Sequence, residues 1–297
     1  MKNARALRTM GFLAPLAVMA MWLAIGLGHT ASAAPGDLIA EVTTPEGSGW
    51  TWARGISPSV AFDGQKLYYV EYAGVILHRI DVPPAGGSTP AANEVDAPIT
   101  GAQTGIMSIS YDGGRGVFWA TSGDGLTIYT LTKGGVATAQ LRIDPVSDRP
   151  GFETATFVNE TKLAYDRSDD TIWYSPDATR RIYHYQTTPD ALGRAALVAA
   201  TPYIDVDMTA ECGYSQSSGV VTGGAHLFVS ISGCPRYFEF TKTGLKVGSY
   251  PMTVQSAGGL ACDSMSYAVS VIWVKDQYLG QLRAYEQPLA GACVTGG

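Results

Sequence analysis

Leu163-AYDRSDDTIWYSPDATRRIYHY-Gln186 reads as three short strands separated by two turns. The first strand, Leu163-Ala164-Tyr165, closes on Asp166, whose side chain suits a turn because it can bond the backbone two residues on. Ile172-Trp173 opens a second strand, Pro176-Asp177 marks a turn, and Ile182 and Tyr185 lie on a third. β-branched and aromatic residues in the arms, with turn formers between, are the signature of antiparallel hairpins.

The same arrangement recurs along the chain. An apolar residue followed by a large aromatic appears at Leu67-Tyr68, Phe118-Trp119, Ile172-Trp173, Leu227-Phe228 and Ile272-Trp273. Nine residues after each aromatic comes Leu77, Ile128, Ile182, Tyr237 or Leu282; twelve after it comes Ile80, Leu131, Tyr185, Phe240 or Tyr285. Upstream of each hairpin runs a short apolar strand that ends on a turn, as in Val60-Ala61-Phe62-Asp63-Gly64, Ile109-Ser110-Tyr111-Asp112-Gly113 and Leu260-Ala261-Cys262-Asp263. Weaker strands follow downstream, near Ala139–Ile143 and Tyr203–Val206. Four strands per unit, with the aromatics 51, 54, 55 and 45 residues apart, describe the blades of an all-β propeller.

Closure fixes the count. The 24 residues after Trp273 and the 34 from Ala34 to Tyr68 together make about one more unit. A strand near Leu38–Val42 is therefore expected to complete the last blade and close a ring of five four-stranded blades. Six blades, one degenerate, is the alternative, although no sixth hairpin is found between Gln186 and Val220.

The N-terminus carries a second signal. Lys2, Arg5 and Arg8 precede an uncharged, mostly apolar run from Gly11 to Gly28, and Ala31-Ser32-Ala33 forms an A-x-A site. Residues 1–33 are expected to be a bacterial-type signal peptide cleaved after Ala33, leaving a propeller domain over 34–297 that is secreted or periplasmic. An uncleaved anchor is the alternative. Only 15% of residues are charged, against about a quarter in an average soluble domain, and the net charge is −6 with pI near 5.2. That balance, with no basic cluster in the mature region, argues against nucleic acid and against an electrostatic membrane-surface role.

Export makes disulfides available to Cys212, Cys234, Cys262 and Cys293, which allow three pairings. In a propeller, loops leading into the innermost strand share one face with loops between the second and third strands. Cys212 and Cys234 fall on that face, and Cys262 and Cys293 near the other. The expected bridges are Cys212–Cys234 and Cys262–Cys293, the second pinning the closing blade; four free cysteines are the alternative.

The stretches Val60–Val82 and Leu163–Gln186 resemble blades of NHL-type propellers and of the gluconolactonase/senescence-marker-protein (SMP-30) superfamily. That resemblance implies a propeller and, for the gluconolactonase-like enzymes, a divalent cation held in the central tunnel. The Glu-Gly-Pro of that family's first blade is matched here by Gly55-Ile56-Ser57-Pro58, without the glutamate. No Asn-Gly precedes Met107–Tyr111, and no Ser-Asp-Gly precedes Leu260. Streptogramin-lyase-like propellers use histidines with a glutamate, whereas none of the three histidines of the mature chain sits on an innermost strand.

Two groups remain as candidate sites. Glu71 and Tyr72, at the end of a second strand, with Trp50 and Trp52 ahead of the first blade's inner strand, could form a platform for a small molecule, carbohydrate or protein. The tryptophans could equally fill the seam where the ring closes. Acidic residues gather in the connections to inner strands, Glu94 and Asp96, then Asp144, Asp148 and Glu153, then Asp205, Asp207 and Glu211, and offer oxygen ligands suited to Ca²⁺; a solvated outer strand explains Asp205 and Asp207 as well. His78 and His184 are expected to face opposite sides of their blades, and His226 to lie in a solvated turn. The functional expectation is a binding or scaffold propeller that meets a small molecule or protein on the face where the tunnel opens. A Ca-dependent lactonase or hydrolase is the alternative. No nucleophile is nominated, so catalysis stays open.

Overall fold

The computed structural model describes residues 34–45, 59–144, 160–176, 180–254 and 256–296. Its strands are β1 (Leu38–Thr43), β2 (Ser59–Phe62), β3 (Lys66–Val70), β4 (Ile76–Asp81), β5 (Ser88–Pro90), β6 (Val95–Pro98), β7 (Ile106–Asp112) and β8 (Val117–Ser122). They continue with β9 (Thr127–Leu131), β10 (Ala137–Arg142), β11 (Lys162–Asp166), β12 (Thr171–Ser175), β13 (Arg181–Pro189), β14 (Ala195–Leu197) and β15 (Tyr203–Asp205). After the short helix α1 (Thr209–Cys212) come β16 (Ser217–Thr222), β17 (His226–Ile231), β18 (Arg236–Thr241), β19 (Lys246–Pro251), β20 (Ala257–Asp263), β21 (Val271–Asp276) and β22 (Gln281–Glu286).

These form five sheets: β2-β3-β4-β6, β7-β8-β9-β10, β11-β12-β13 with β14 and β15, β16-β17-β18-β19, and β20-β21-β22-β1-β5. They are the blades of a five-bladed propeller, blades 1 to 5 in that order. The ring closes as expected, with β1 antiparallel to β22 and Leu38 opposite Tyr285. Two details go beyond the sequence pattern. In blade 3 the outermost position is shared, since β14 and β15 pair with different parts of β13. In blade 5 a fifth strand is borrowed, because β5 runs parallel to β1. The loop between the third and fourth strands of blade 1 thus covers the edge of blade 5, and a covered edge has no free backbone groups to recruit another chain.

Five hydrophobic clusters lie between the blades, one at each interface. In β12 all five residues are buried. Trp173 packs toward blade 4, while Ile172 and Tyr174 pack toward blade 2. Strands covered on both faces lose the alternation of apolar and polar residues, which is why the aromatic-rich runs are so nearly continuous. Serines knit the innermost strands together. Ser59 Oγ accepts from Ile109 N at 2.9 Å, Ser108 Oγ from Leu163 N at 3.1 Å, and Ser110 Oγ from Tyr165 N at 3.0 Å. A hydroxyl small enough for the crowded axis thereby satisfies backbone donors that no ladder partner reaches.

Both disulfides pair as the face argument requires: Cys212–Cys234 with Cα atoms 5.5 Å apart, and Cys262–Cys293 at 5.2 Å.

Candidate functional site

The tunnel has two unlike mouths. At one, the turns between first and second strands are spanned by the C-terminal segment. Val294 N donates to Gly223 O at 2.9 Å, Ser264 N donates to Thr295 Oγ1 at 3.0 Å, and Gly296 packs against Gly113. Cys293, fully buried and bridged to Cys262, anchors this strap. Just inside, among Phe62, Tyr111, Val221, Thr222, Cys262 and Gly296, the remaining cavity is about 20 Å³, room for one water.

Four of the five innermost strands end on carboxylates that are bonded within their own blades. Asp112 Oδ1 accepts from the backbone N–H groups of Gly114 and Arg115, and its Oδ2 accepts from Trp119 Nε1 at 3.2 Å. Asp263 repeats this with Met265, Ser266 and Trp273 Nε1 at 3.0 Å. Asp166 does so with Ser168 and Trp173 Nε1 at 3.2 Å, and Asp63 with Gln65, Lys66 and the Tyr68 hydroxyl. Each aspartate ties its turn to the aromatic of its own second strand. Cations complete three of them: Lys133 reaches Asp63 and Lys242 reaches Asp166, each from the following blade, and Arg115 bridges Asp112 to Asp170. The turn amides and ring donors engage both oxygens of each carboxylate within its own turn and strand pair.

At the other mouth lie the loops between second and third strands and those entering the inner strands. Gly74 and Ile106 form a bridge there, and Gly123 N donates to Gly105 O. Gly105, at φ +72°, sits where a Cβ would fall 2.1 Å from Ala73 O, so the packing of the blade 1 loop on this connection requires glycine. Glu71 is half-buried on this face, with Tyr72 and Val75 exposed beside it. Tyr214 and Leu279 are further exposed apolar groups on loops of the same face. Trp50 and Trp52 lie outside the described residues, as do Asp148 and Glu153.

The described acidic loop residues after β10 are held apart by separate partners. Asp205 accepts from Arg181 Nε at 3.0 Å. Asp207 accepts from Thr209 N and the Ser215 hydroxyl, and the Thr209 amide above all holds its carboxyl below the usual range. Glu211 pairs with Lys246 and accepts from Ser249 Oγ at 2.7 Å; the lysine chiefly lowers its pKa. Asp144, just after β10, lines an open cleft with Asp124, Arg142 and Arg194.

The three histidines among the described residues are engaged in their blades. His184 stacks on Trp173 at 3.9 Å, with Nε2 2.6 Å from Thr171 Oγ1, and burial pushes its imidazole pKa down. His78 stacks instead on Tyr69, the residue after the repeat aromatic, so the two rings do face opposite sides of their blades. His226 corrects the expectation of a solvated turn. It is the first residue of β17, and its Nδ1 lies 2.6 Å from Glu239 Oε1, a carboxylate that also accepts from the Tyr250 hydroxyl. The turn is confined to Gly223–Ala225, and Thr222 Oγ1 donates to His226 O across it.

The fold and its two mouths define a five-bladed β-propeller, and comparison with known proteins agrees at that level. No protein-family model matches the sequence, and no curated protein does. Among solved structures, the glutaminyl cyclase of Myxococcus xanthus is 12% identical with a TM-score of 0.53, over 84% of this chain and 94% of that one. A luciferin-regenerating enzyme is 12% identical with a TM-score of 0.47, over 86% of this chain and 99% of the other. A catalytically inactive virginiamycin B lyase from Staphylococcus aureus is 12% identical with a TM-score of 0.41, over 78% and 67%. The likeness to the cyclase is one of fold alone.

Proposed function

We propose that this chain is an exported binding or scaffold propeller, secreted or periplasmic after removal of residues 1–33, which contacts its ligand or partner at the open mouth through the loops around Glu71 and Tyr72. The observation that carries the reading is the asymmetry of the tunnel. One mouth is strapped by the disulfide-anchored C-terminal segment, and the inner-strand aspartates are committed to indole and phenol donors rather than to a central ion. Contact surfaces therefore belong to the loops, and exposed Tyr72 beside Glu71 offers an apolar ring with a carboxylate neighbour. Two disulfides suit an oxidising compartment, and no helix among the described residues is long and apolar enough to cross a membrane. A Ca-dependent lactonase would need tunnel carboxylates that are free to turn inward, and the inner-strand aspartates are tied down.

The test is a binding screen of the secreted chain against glycans and envelope extracts, comparing wild type with Tyr72→Ala and with the double variant that adds Glu71→Gln. Loss of a ligand in these variants, with an unchanged melting temperature, supports the reading. Ca²⁺-dependent lactone hydrolysis that survives both substitutions would replace it with the enzyme.

A further inference from the structure

On blade 1, away from the tunnel, three potential ligands meet on one sheet face. His78 on β4 stands directly opposite Asp96 on β6. Glu94 lies two residues before Asp96, so both carboxylates project to the side of His78, by the two-residue period of a strand. Their ligand atoms all lie within 4.8 Å of one another. His78 Nδ1 is 2.8 Å from Asp96 Oδ1 and 3.6 Å from Glu94 Oε1.

Two further observations make this more than a charged surface. The histidine is built in: its side chain is 5% exposed and stacks on Tyr69 at 4.7 Å with the rings 10° from parallel. The Tyr69 hydroxyl reaches past it to donate to Glu94 Oε1 at 2.6 Å, orienting that carboxylate as outer-shell donors orient metal ligands.

We propose that His78 Nδ1, Glu94 and Asp96 bind a divalent cation of the Zn²⁺ type, with solvent completing the coordination on the side where Asp96 is 53% exposed. One imidazole nitrogen and two carboxylate oxygens are a donor set suited to zinc, with an open position as in sites where the metal carries water. Tetrahedral zinc holds its ligands at roughly 2.0–2.1 Å, which sets them about 3.4 Å apart. The His78–Glu94 separation is already near that value, and a small rotation of the exposed Asp96 side chain supplies the rest. All four cysteines are in disulfides, so no thiol competes for the ion.

The test is titration of the EDTA-stripped secreted chain with ZnCl₂ by calorimetry in a non-chelating buffer. One Zn²⁺ per chain is expected, with affinity lowered at least ~10-fold in Glu94→Gln and in Asp96→Asn, and about 10-fold in Tyr69→Phe, which keeps the stacked ring and removes only the outer hydroxyl. His226→Gln, outside the cluster, should bind like wild type. Because His78→Ala would also remove a packed ring, the carboxylate variants carry the test, with their metal-free melting temperatures confirming the fold. Absence of Zn²⁺ binding in the wild type, or equal affinity in wild type, Glu94→Gln and Asp96→Asn, overturns the proposal.

Discussion

In blade 3 the innermost strand ends on Asp166, which holds the turn amide of Ser168 and the indole of Trp173 at once. In blade 4 the same position is Gly223 and the aromatic is Phe228, which has no polar hydrogen to give. Acceptor and donor are present together in four blades and missing together in the fifth, as expected if each is costly to bury without the other. The structure supplies the reason. A Cβ at Gly223 would fall 2.5 Å from Val294 N and O and 2.9 Å from Cys262 Sγ. The C-terminal strap occupies the place of the carboxylate, and Thr222 closes the turn instead.

Breaking the strut in blade 3 should have the largest effect. Asp166→Ala leaves Trp173 Nε1 and the Lys242 ammonium without their buried acceptor, and a loss of about 3–5 kcal/mol is expected in denaturant unfolding. Removing the strap's anchor comes next. Cys262 and Cys293 are separated by 31 residues, and replacing both by serine should cost about 3–4 kcal/mol on loop entropy. The Cys212–Cys234 bridge, separated by 22 residues, should cost nearly as much. The comparison sharpens at the tunnel: only loss of the Cys262–Cys293 bridge should speed hydrogen exchange of the Val294 and Thr295 amides.

Grafting the strut onto blade 4 is the converse experiment. Gly223→Asp with Phe228→Trp restores the residue types of blade 3, yet should destabilise by about 1–3 kcal/mol because the strap must move. A gain in stability would show that the strap is not what excludes the aspartate.

The smallest effect belongs to the ion pair between blades 2 and 3. Hydrogen bonding from Arg115 lowers the Asp170 carboxyl to about 2. A depressed folded-state pKa adds stability that is present above the unfolded value near 3.9 and is lost as the pH falls from there toward 2. Asp170 is 49% exposed, so solvent screening keeps the contribution small. Melting curves of wild type and Asp170→Asn should therefore differ modestly above pH 5 and converge near pH 2.

Much of this was legible in the residues themselves. The twelve-residue offset between Trp173 and Tyr185, repeated five times, marks the hairpins because strand pairing fixes that spacing. The disulfides followed once the blades were placed, because face membership alone separates the four cysteines. In blade 3 the strand near Tyr203–Val206 was legible as β15, but the sharing of the outer position was not, since β14 is three residues long and carries little pattern. Glu94 and Asp96 stood out as acidic residues of a connection, but their meeting with His78 was hidden for a related reason. They lie 16 and 18 residues from it, and only the β4–β6 register brings them together.

The sequence by itself determined the number of blades, the strand that closes the ring and the cysteine pairing. These depend on periodicity and on alternation between faces, which are properties local to each hairpin. Tertiary structure alone decided which mouth of the tunnel is closed, why blade 4 lacks its aspartate, and which histidine meets two carboxylates. Those depend on contacts between segments distant along the chain, and no local pattern encodes where a terminal segment comes to rest.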